Sequence, residues 1–314
     1  MNDSSTGVTL ILTSYNYMGS SKSVLFIVVF IIYVASIIAN VVIMSLIYLD
    51  TSLHKPMCIC LLSLIVNGLI GSTAVWPNVM FILLTDNNTI SVEGCLIQAF
   101  LMITYGASNF SILTVMAYDR FVSIFKPLQY HILMTPQKVT QLLFVAYFLP
   151  AVLILGQICL SSQILSAEKT YGPEIPIFCD NLSLSSLACG DSIQSRVTNL
   201  YGICSIIAFI ILPLLLVLLS YVKIIVFILK ASGNNGKKAF ETCSPHMIVF
   251  INFSIATLFS VIYNRLNPYL PGEAYVLLSI NYILVPPLLH PVIYGIKNQE
   301  IRDSISKIVA GWCT

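Results

Sequence analysis

Seven stretches of this chain carry no Asp, Glu, Lys or Arg and are each long enough to cross a bilayer. They run from Ser23 to Leu49, Pro56 to Thr85, Gly94 to Tyr118, Val139 to Ala167, Val197 to Val222, Thr242 to Asn264 and Ala274 to Ile296. A spanning helix needs about 20 mostly apolar residues. Only 9% of the 314 residues are charged and 57% are hydrophobic, whereas a soluble domain carries about 25% charged residues. No soluble fold of this length can hide that much apolar surface. The expected fold is an all-α membrane protein, a seven-transmembrane helix bundle with a short amphipathic cytoplasmic helix at its carboxyl end. Its helices are expected at about 23–49, 56–85, 95–118, 139–161, 197–229, 242–264 and 274–296. Residues 1–22 form an extracellular amino-terminal segment and residues 297–314 a cytoplasmic tail. Met1 to Ser21 lacks the basic region, apolar stretch and cleavage site of a signal peptide, so the first helix is expected to direct insertion.

Lysine and arginine set the orientation. With the amino terminus outside, eleven basic residues face the cytoplasm and four (Lys22, Lys169, Arg196 and Arg265) face outward. Short loops with that bias belong inside. The sequons at Asn2, Asn87 and Asn181 then lie outside and are candidate glycosylation sites. Ala231 to Lys238 reads as a flexible basic cytoplasmic loop. In the tail, Ile301, Ile305 and Ile308 recur at helical spacing between charges, the pattern of a helix lying on the inner leaflet.

Net charge is +2, too weak to argue for a nucleic-acid partner. The nine cysteines are odd in number and fall mostly in apolar stretches, unlike a secreted disulfide scaffold. No metal cluster, nucleophile–base pair or phosphate loop is visible, so an enzyme is not expected, and neither is a cofactor. A pump needs ionisable groups mid-membrane, and the central zone of the seven windows has none; Asp119 and Arg120 sit at the inner end of the third. Retinal attachment needs a lysine in the last helix, and the last window has none. A signalling receptor and a carrier of neutral solutes remain.

Several strings decide between them. Met116-Ala117-Tyr118-Asp119-Arg120-Phe121-Val122-Ser123-Ile124 is followed by Pro127-Leu128-Gln129-Tyr130. Ser220-Tyr221 closes the fifth helix, and Lys238-Ala239-Phe240-Glu241-Thr242-Cys243-Ser244-Pro245-His246 opens the sixth. Pro286-Pro287-Leu288-Leu289-His290-Pro291-Val292-Ile293-Tyr294 closes the seventh. In this order and over nearly the whole chain, they resemble the odorant receptors, a branch of the rhodopsin-like G-protein-coupled receptors. Asn67-Gly68-Leu69 and Gly94-Cys95-Leu96-Ile97-Gln98-Ala99-Phe100 look closest to the fish-type members.

The resemblance implies a receptor that binds a small-molecule odorant in the outer half of the bundle and activates a stimulatory, olfactory-type heterotrimeric G protein. The expected location is the plasma membrane of olfactory sensory neuron cilia. It gives Asp119, Arg120, Tyr221, Lys238, His246, His290, Pro291 and Tyr294 to the switch and the G-protein face. It places the ligand among Met102, Tyr105, Gly106, Ser108, Tyr201, Ser205, Thr257, Val261, Asn264 and Tyr282. Met102 stands where amine receptors carry an aspartate, so the cavity is expected to be neutral and to mix apolar groups with hydroxyls. The resemblance pairs Cys95 with Cys179 in a disulfide; Cys189 is left with Cys159 or no partner, which geometry decides. His290 replaces the usual Asn or Asp before Pro291, and Ser254 stands where an aromatic often sits. The alternatives are a rhodopsin-like receptor outside olfaction and, further off, a neutral-solute membrane carrier.

Overall fold

The computed structural model describes residues 9–13, 21–85, 87–167, 174–175, 178–179, 193–230, 234–266 and 272–312. The described residues form a bundle of seven long helices. Helix α1 spans Ser21–Leu49, α2 Pro56–Thr85 and α3 Val92–Phe125. A one-turn helix α4 (Tyr130–Leu133) leads to α5 (Pro136–Ala167). The fifth span is α6 (Ile193–Ile206), a π-helical turn (Ile207–Ile211) and α7 (Leu212–Lys230). Helices α8 (Asn234–Leu266) and α9 (Gly272–Lys297) complete the bundle, and α10 (Gln299–Trp312) follows it. Among the described residues, the first five spans meet the length and hydropathy of a membrane crossing outright. Helices α8 and α9 are 33 and 26 residues long, enough at 1.5 Å per residue to cross about 30 Å of hydrocarbon.

The helices overrun the charge-free windows. Helix α3 continues past Asp119 and Arg120 to Phe125, because the two charges pair with each other there and leave the backbone ladder intact. Helix α8 begins at Asn234, which corrects the described part, 234–238, of the loop expected over 231–238: the backbone is helical through Lys237 and Lys238, and Gly236 is buried. Proline and serine mark several starts. Pro56 and Pro136 open α2 and α5, where a missing N–H costs nothing. Ser91 caps α3 by accepting from the Gly94 N–H at 3.1 Å.

Helix α3 lies at the centre, against α2, α5, α7 and α8. Large apolar side chains on α1, α5 and α7 face outward, among them Ile31, Phe148 and Leu219, a surface suited to lipid rather than water. Two apolar cores stack along the bundle, named outer and inner after the orientation expected from the basic residues. The outer one includes Val75, Trp76, Ala99, Met102, Phe209 and Leu284. The inner one includes Leu64, Phe110, Leu113, Val217, Phe253 and Tyr294. Tyr282 packs against both.

No sequence periodicity announces the small sheet at one end of the bundle. Strand β1 (Thr9–Leu12) lies between β2 (Thr89–Ser91) and β3 (Glu174–Ile175). It pairs antiparallel with β2, Leu10 opposite Ile90, and parallel with β3, Ile11 beside Glu174. Its alternation puts Leu10 and Leu12, both fully buried, into the outer core; each such burial stabilises by about 1.5–3 kcal/mol.

The tail helix meets the bundle rather than resting only on lipid. Asn298 caps it through its Oδ1, which accepts from the Glu300 N–H at 2.9 Å. Ile301 is fully buried in the inner core. Lys55 reaches Glu300 at 2.5 Å, but both side chains are about half exposed, so this ion pair adds little.

Candidate functional site

Near the carboxyl end of α3, Asp119 is buried and its carboxylate is held from two sides. Arg120 donates to Asp119 Oδ2 through Nε at 2.9 Å and also through a terminal nitrogen. Tyr130, on α4, donates its hydroxyl to Oδ1 at 2.8 Å. Burial and the Asp119 carboxylate push the Tyr130 phenol up from its ordinary value, so it remains a donor. Next to this cluster a narrow crevice is lined by Met57, Met116, Asp119, Arg120 and His246.

His246 links α7, α8 and α3. Its Nε2 lies 3.1 Å from the Leu113 carbonyl oxygen and its Nδ1 bonds the Tyr221 hydroxyl. A carbonyl only accepts, so Nε2 carries the proton and Nδ1 accepts from Tyr221; the network assigns the tautomer. The two rings stack with centroids 5.5 Å apart.

In α9, Pro291 has no N–H to give the Pro287 carbonyl four residues earlier. Asn40 of α1 fills that vacancy, its Nδ2 donating to the Pro287 oxygen at 2.9 Å. His290 and Tyr294 are buried, and neither the imidazole nitrogens nor the Tyr294 hydroxyl finds a partner among the described residues. Buried polar groups without partners are uncommon, and these lie on the helix stretch that proline has already loosened.

Between the two ends an aromatic cluster joins α3, α8 and α9. Tyr105 meets Phe253 at 5.9 Å and Tyr282 at 5.8 Å, Phe253 meets Tyr282 at 5.9 Å, and Phe110 meets Phe253 at 4.9 Å. These distances suit edge-to-face and tilted pairs. Two glycines make the room. A Cβ at Gly71 would sit 2.5 Å from the Tyr105 ring, and one at Gly106 would sit 2.3 Å from the Tyr282 hydroxyl. Gly106→Ala is therefore expected to lower surface display and thermal stability in detergent. Adding Tyr282→Phe should restore both, since the next Tyr282 atom lies at an ordinary 3.6 Å. A single variant as stable as the parent would contradict the contact.

The sequence candidates divide. Met102, Tyr105, Gly106, Ser108 and Thr257 are buried, and Tyr282 joins the aromatic cluster. Tyr201 turns to α5 and donates to the Leu153 carbonyl at 2.8 Å. Ser205 and Thr257 donate to carbonyls of their own helices, Tyr201 at 3.0 Å and Phe253 at 2.9 Å. The side chains of Val261, Asn264 and Lys238, and all of Asn2, Asn181 and Cys189, lie outside the described residues. Cys95 and Cys179 form a disulfide with Cα atoms 5.2 Å apart, and Cys159 carries a free thiol. Gln98, one turn after Cys95, accepts from the Cys179 N–H at 3.0 Å. Asn87 is exposed, and its Oδ1 accepts from the Thr89 hydroxyl at 2.7 Å. The sequence did not single out Phe253, Phe110 or the bond from Tyr130 to Asp119. Phe253, beside Ser254 on α8, is the aromatic residue of that helix that joins the cluster.

A profile for olfactory receptors matches residues 29–311. The chain belongs to the olfactory receptor family. Human olfactory receptor 2AT4 is 31% identical over 286 residues, covering 91% of this chain and 87% of its own. Human olfactory receptor 10J4 is 31% identical over 295 residues, covering 90% and 89%. Mouse olfactory receptor 10J5 is 30% identical over 305 residues, covering 96% of each. As a member of this family the chain is a multi-pass membrane protein and an odorant receptor of the G-protein-coupled class, which is not an enzyme class. These relatives are mammalian and lend no support to the fish-type subdivision.

Proposed function

We propose that this olfactory receptor binds a small neutral odorant in the outer half of the bundle and, by opening its inner face, activates a stimulatory olfactory-type G protein. The amino terminus lies outside, and the site of action is the plasma membrane of olfactory cilia. Asn2, Asn87 and Asn181 are the glycan acceptors of that outer face. The observation that carries the reading is the inner-rim cluster: Arg120 is held on a buried Asp119 that Tyr130 also holds. This arrangement suits a resting state whose arginine is kept from the G protein until the rim opens. Tyr221, His246, His290, Pro291 and Tyr294 form the moving part, and Lys238 meets the G protein.

The cavity proposed for the odorant is formed by Met102, Tyr105, Gly106, Ser108, Thr257 and Tyr282, with Val261, Asn264, Tyr201 and Ser205 at its edges. Buried Ser108 keeps a hydroxyl without a partner among the described residues, a natural contact for a ligand oxygen. The aromatic cluster forms the floor, so a ligand resting on Tyr282 reaches both apolar cores. The ligand drives opening only by binding the open state more tightly than the resting one.

Tyr130→Phe tests the resting clamp. Removing one hydrogen bond of about 1 kcal/mol is expected to raise ligand-free cyclic AMP about fivefold at equal surface display. An unchanged basal signal would show that Tyr130 does not restrain the switch.

A further inference from the structure

We infer that strand β1 is a lid over the ligand cavity, sealed by Leu10 and Leu12. The inference rests on the cavity proposed above. Both leucines are fully buried, in the same apolar core as Met102, Phe178, Ile283 and Leu284, with Tyr282 packed against that core. The strand's other face, Thr9 and Ile11, is exposed. Its inward side chains are thus continuous with the wall of the proposed cavity.

The three strands differ in how they are tethered. Strand β2 runs directly into α3 from the end of α2. Strand β3 precedes Cys179, which the disulfide ties to Cys95 on α3. Among the described residues, strand β1 has no such tie. Its contacts include the pairing with β2 and β3, the bond from the Leu12 N–H to the Asn88 carbonyl at 2.8 Å, and the two buried leucines, all of them non-covalent. Of the three strands it is therefore the one neither tied by the disulfide nor continuous with α3. Local opening draws on the least anchored segments of a fold. An apolar seal also suits the cargo, since a neutral odorant can replace leucine contacts as it enters.

The test is a labelling rate that needs no agonist. Met102→Cys is expressed in intact cells and exposed to a small membrane-impermeant thiosulfonate; the chain with Met102 intact supplies the background from exposed Cys159 and Cys204. Leu10→Ala with Leu12→Ala is expected to speed labelling at position 102 about tenfold. A cross-link between Ile11→Cys and Thr89→Cys, which face each other across the sheet, is expected to slow it below the rate of the unlocked chain. The cross-linked variant keeps the test alive if the leucine variant fails to reach the surface. Equal rates in the locked and unlocked forms, or no labelling in any of them, overturn the lid. A receptor silent in signalling would count against the proposed function and would leave these rates unaffected.

Discussion

Arg120→Ala is expected to reduce odorant-evoked cyclic AMP to background while leaving most of the protein at the cell surface. Arg120 contributes two hydrogen bonds to Asp119 at the inner rim, and its side chain is only 12% exposed. Removing it has two consequences of opposite sign. Asp119 keeps Tyr130 as its donor but loses its charge partner, and a buried carboxylate stripped of its partner costs about 3–5 kcal/mol. That loosens the resting rim. The same change deletes the group proposed to engage the G protein, and a loosened rim without that group cannot signal. The second effect decides the outcome, so basal and evoked signals should both fall, by about 100-fold or more for a lost buried charged contact. Arg120→Lys keeps the charge but loses the forked geometry, and should fall in between. Evoked signalling at the parental level from Arg120→Ala would remove the basis for the proposed switch.

Cys95→Ser and Cys179→Ser are each expected to abolish most surface delivery, and the double change should cost little more than either single one. The bond closes a separation of 84 residues. Chain entropy alone assigns a loop of that length about 4.5 kcal/mol. The value here is smaller, because the closed loop includes helices that the bilayer already confines. What the bond adds locally is specific: it holds Cys179 where its N–H reaches Gln98 and Phe178 joins the outer core. Gln98→Leu should reproduce part of the defect. Additive losses from the two serine variants would mean that the cysteines act separately.

Much of this architecture was legible in the chain. Charge-free windows located the seven helices, because the cost of a charge in hydrocarbon shapes composition directly. The windows misjudged the ends, as at α3 and α8, since charge says nothing about where a solvated helix stops. The motif around Asp119 and Arg120 marked the stretch of α3 where the buried carboxylate lies. The partner Tyr130 did not stand out, because its contact depends on how α4 folds back beneath α3. Tyr201 stood out as a polar residue of the fifth span, but its bond to the Leu153 carbonyl of α5 did not, because it depends on how the two helices pack. Strand β1 was hidden because four residues, Thr9 to Leu12, carry too short an alternation to register, and its partners lie far along the chain. The aromatic cluster depends on Gly71 and Gly106, whose meaning appears only when Tyr105 and Tyr282 are seen to fill the space beside them.

The most direct measurement is cyclic AMP in cells expressing this chain with an olfactory-type stimulatory G protein, challenged with pooled water-soluble odorants, amino acids included. Surface display is scored in the same cells. The account predicts a rise with at least one pool, absent in cells carrying Arg120→Ala at equal display. A rise of the same size in both, or silence across all pools from a chain shown at the surface and accompanied by solute uptake that survives Arg120→Ala, would contradict it.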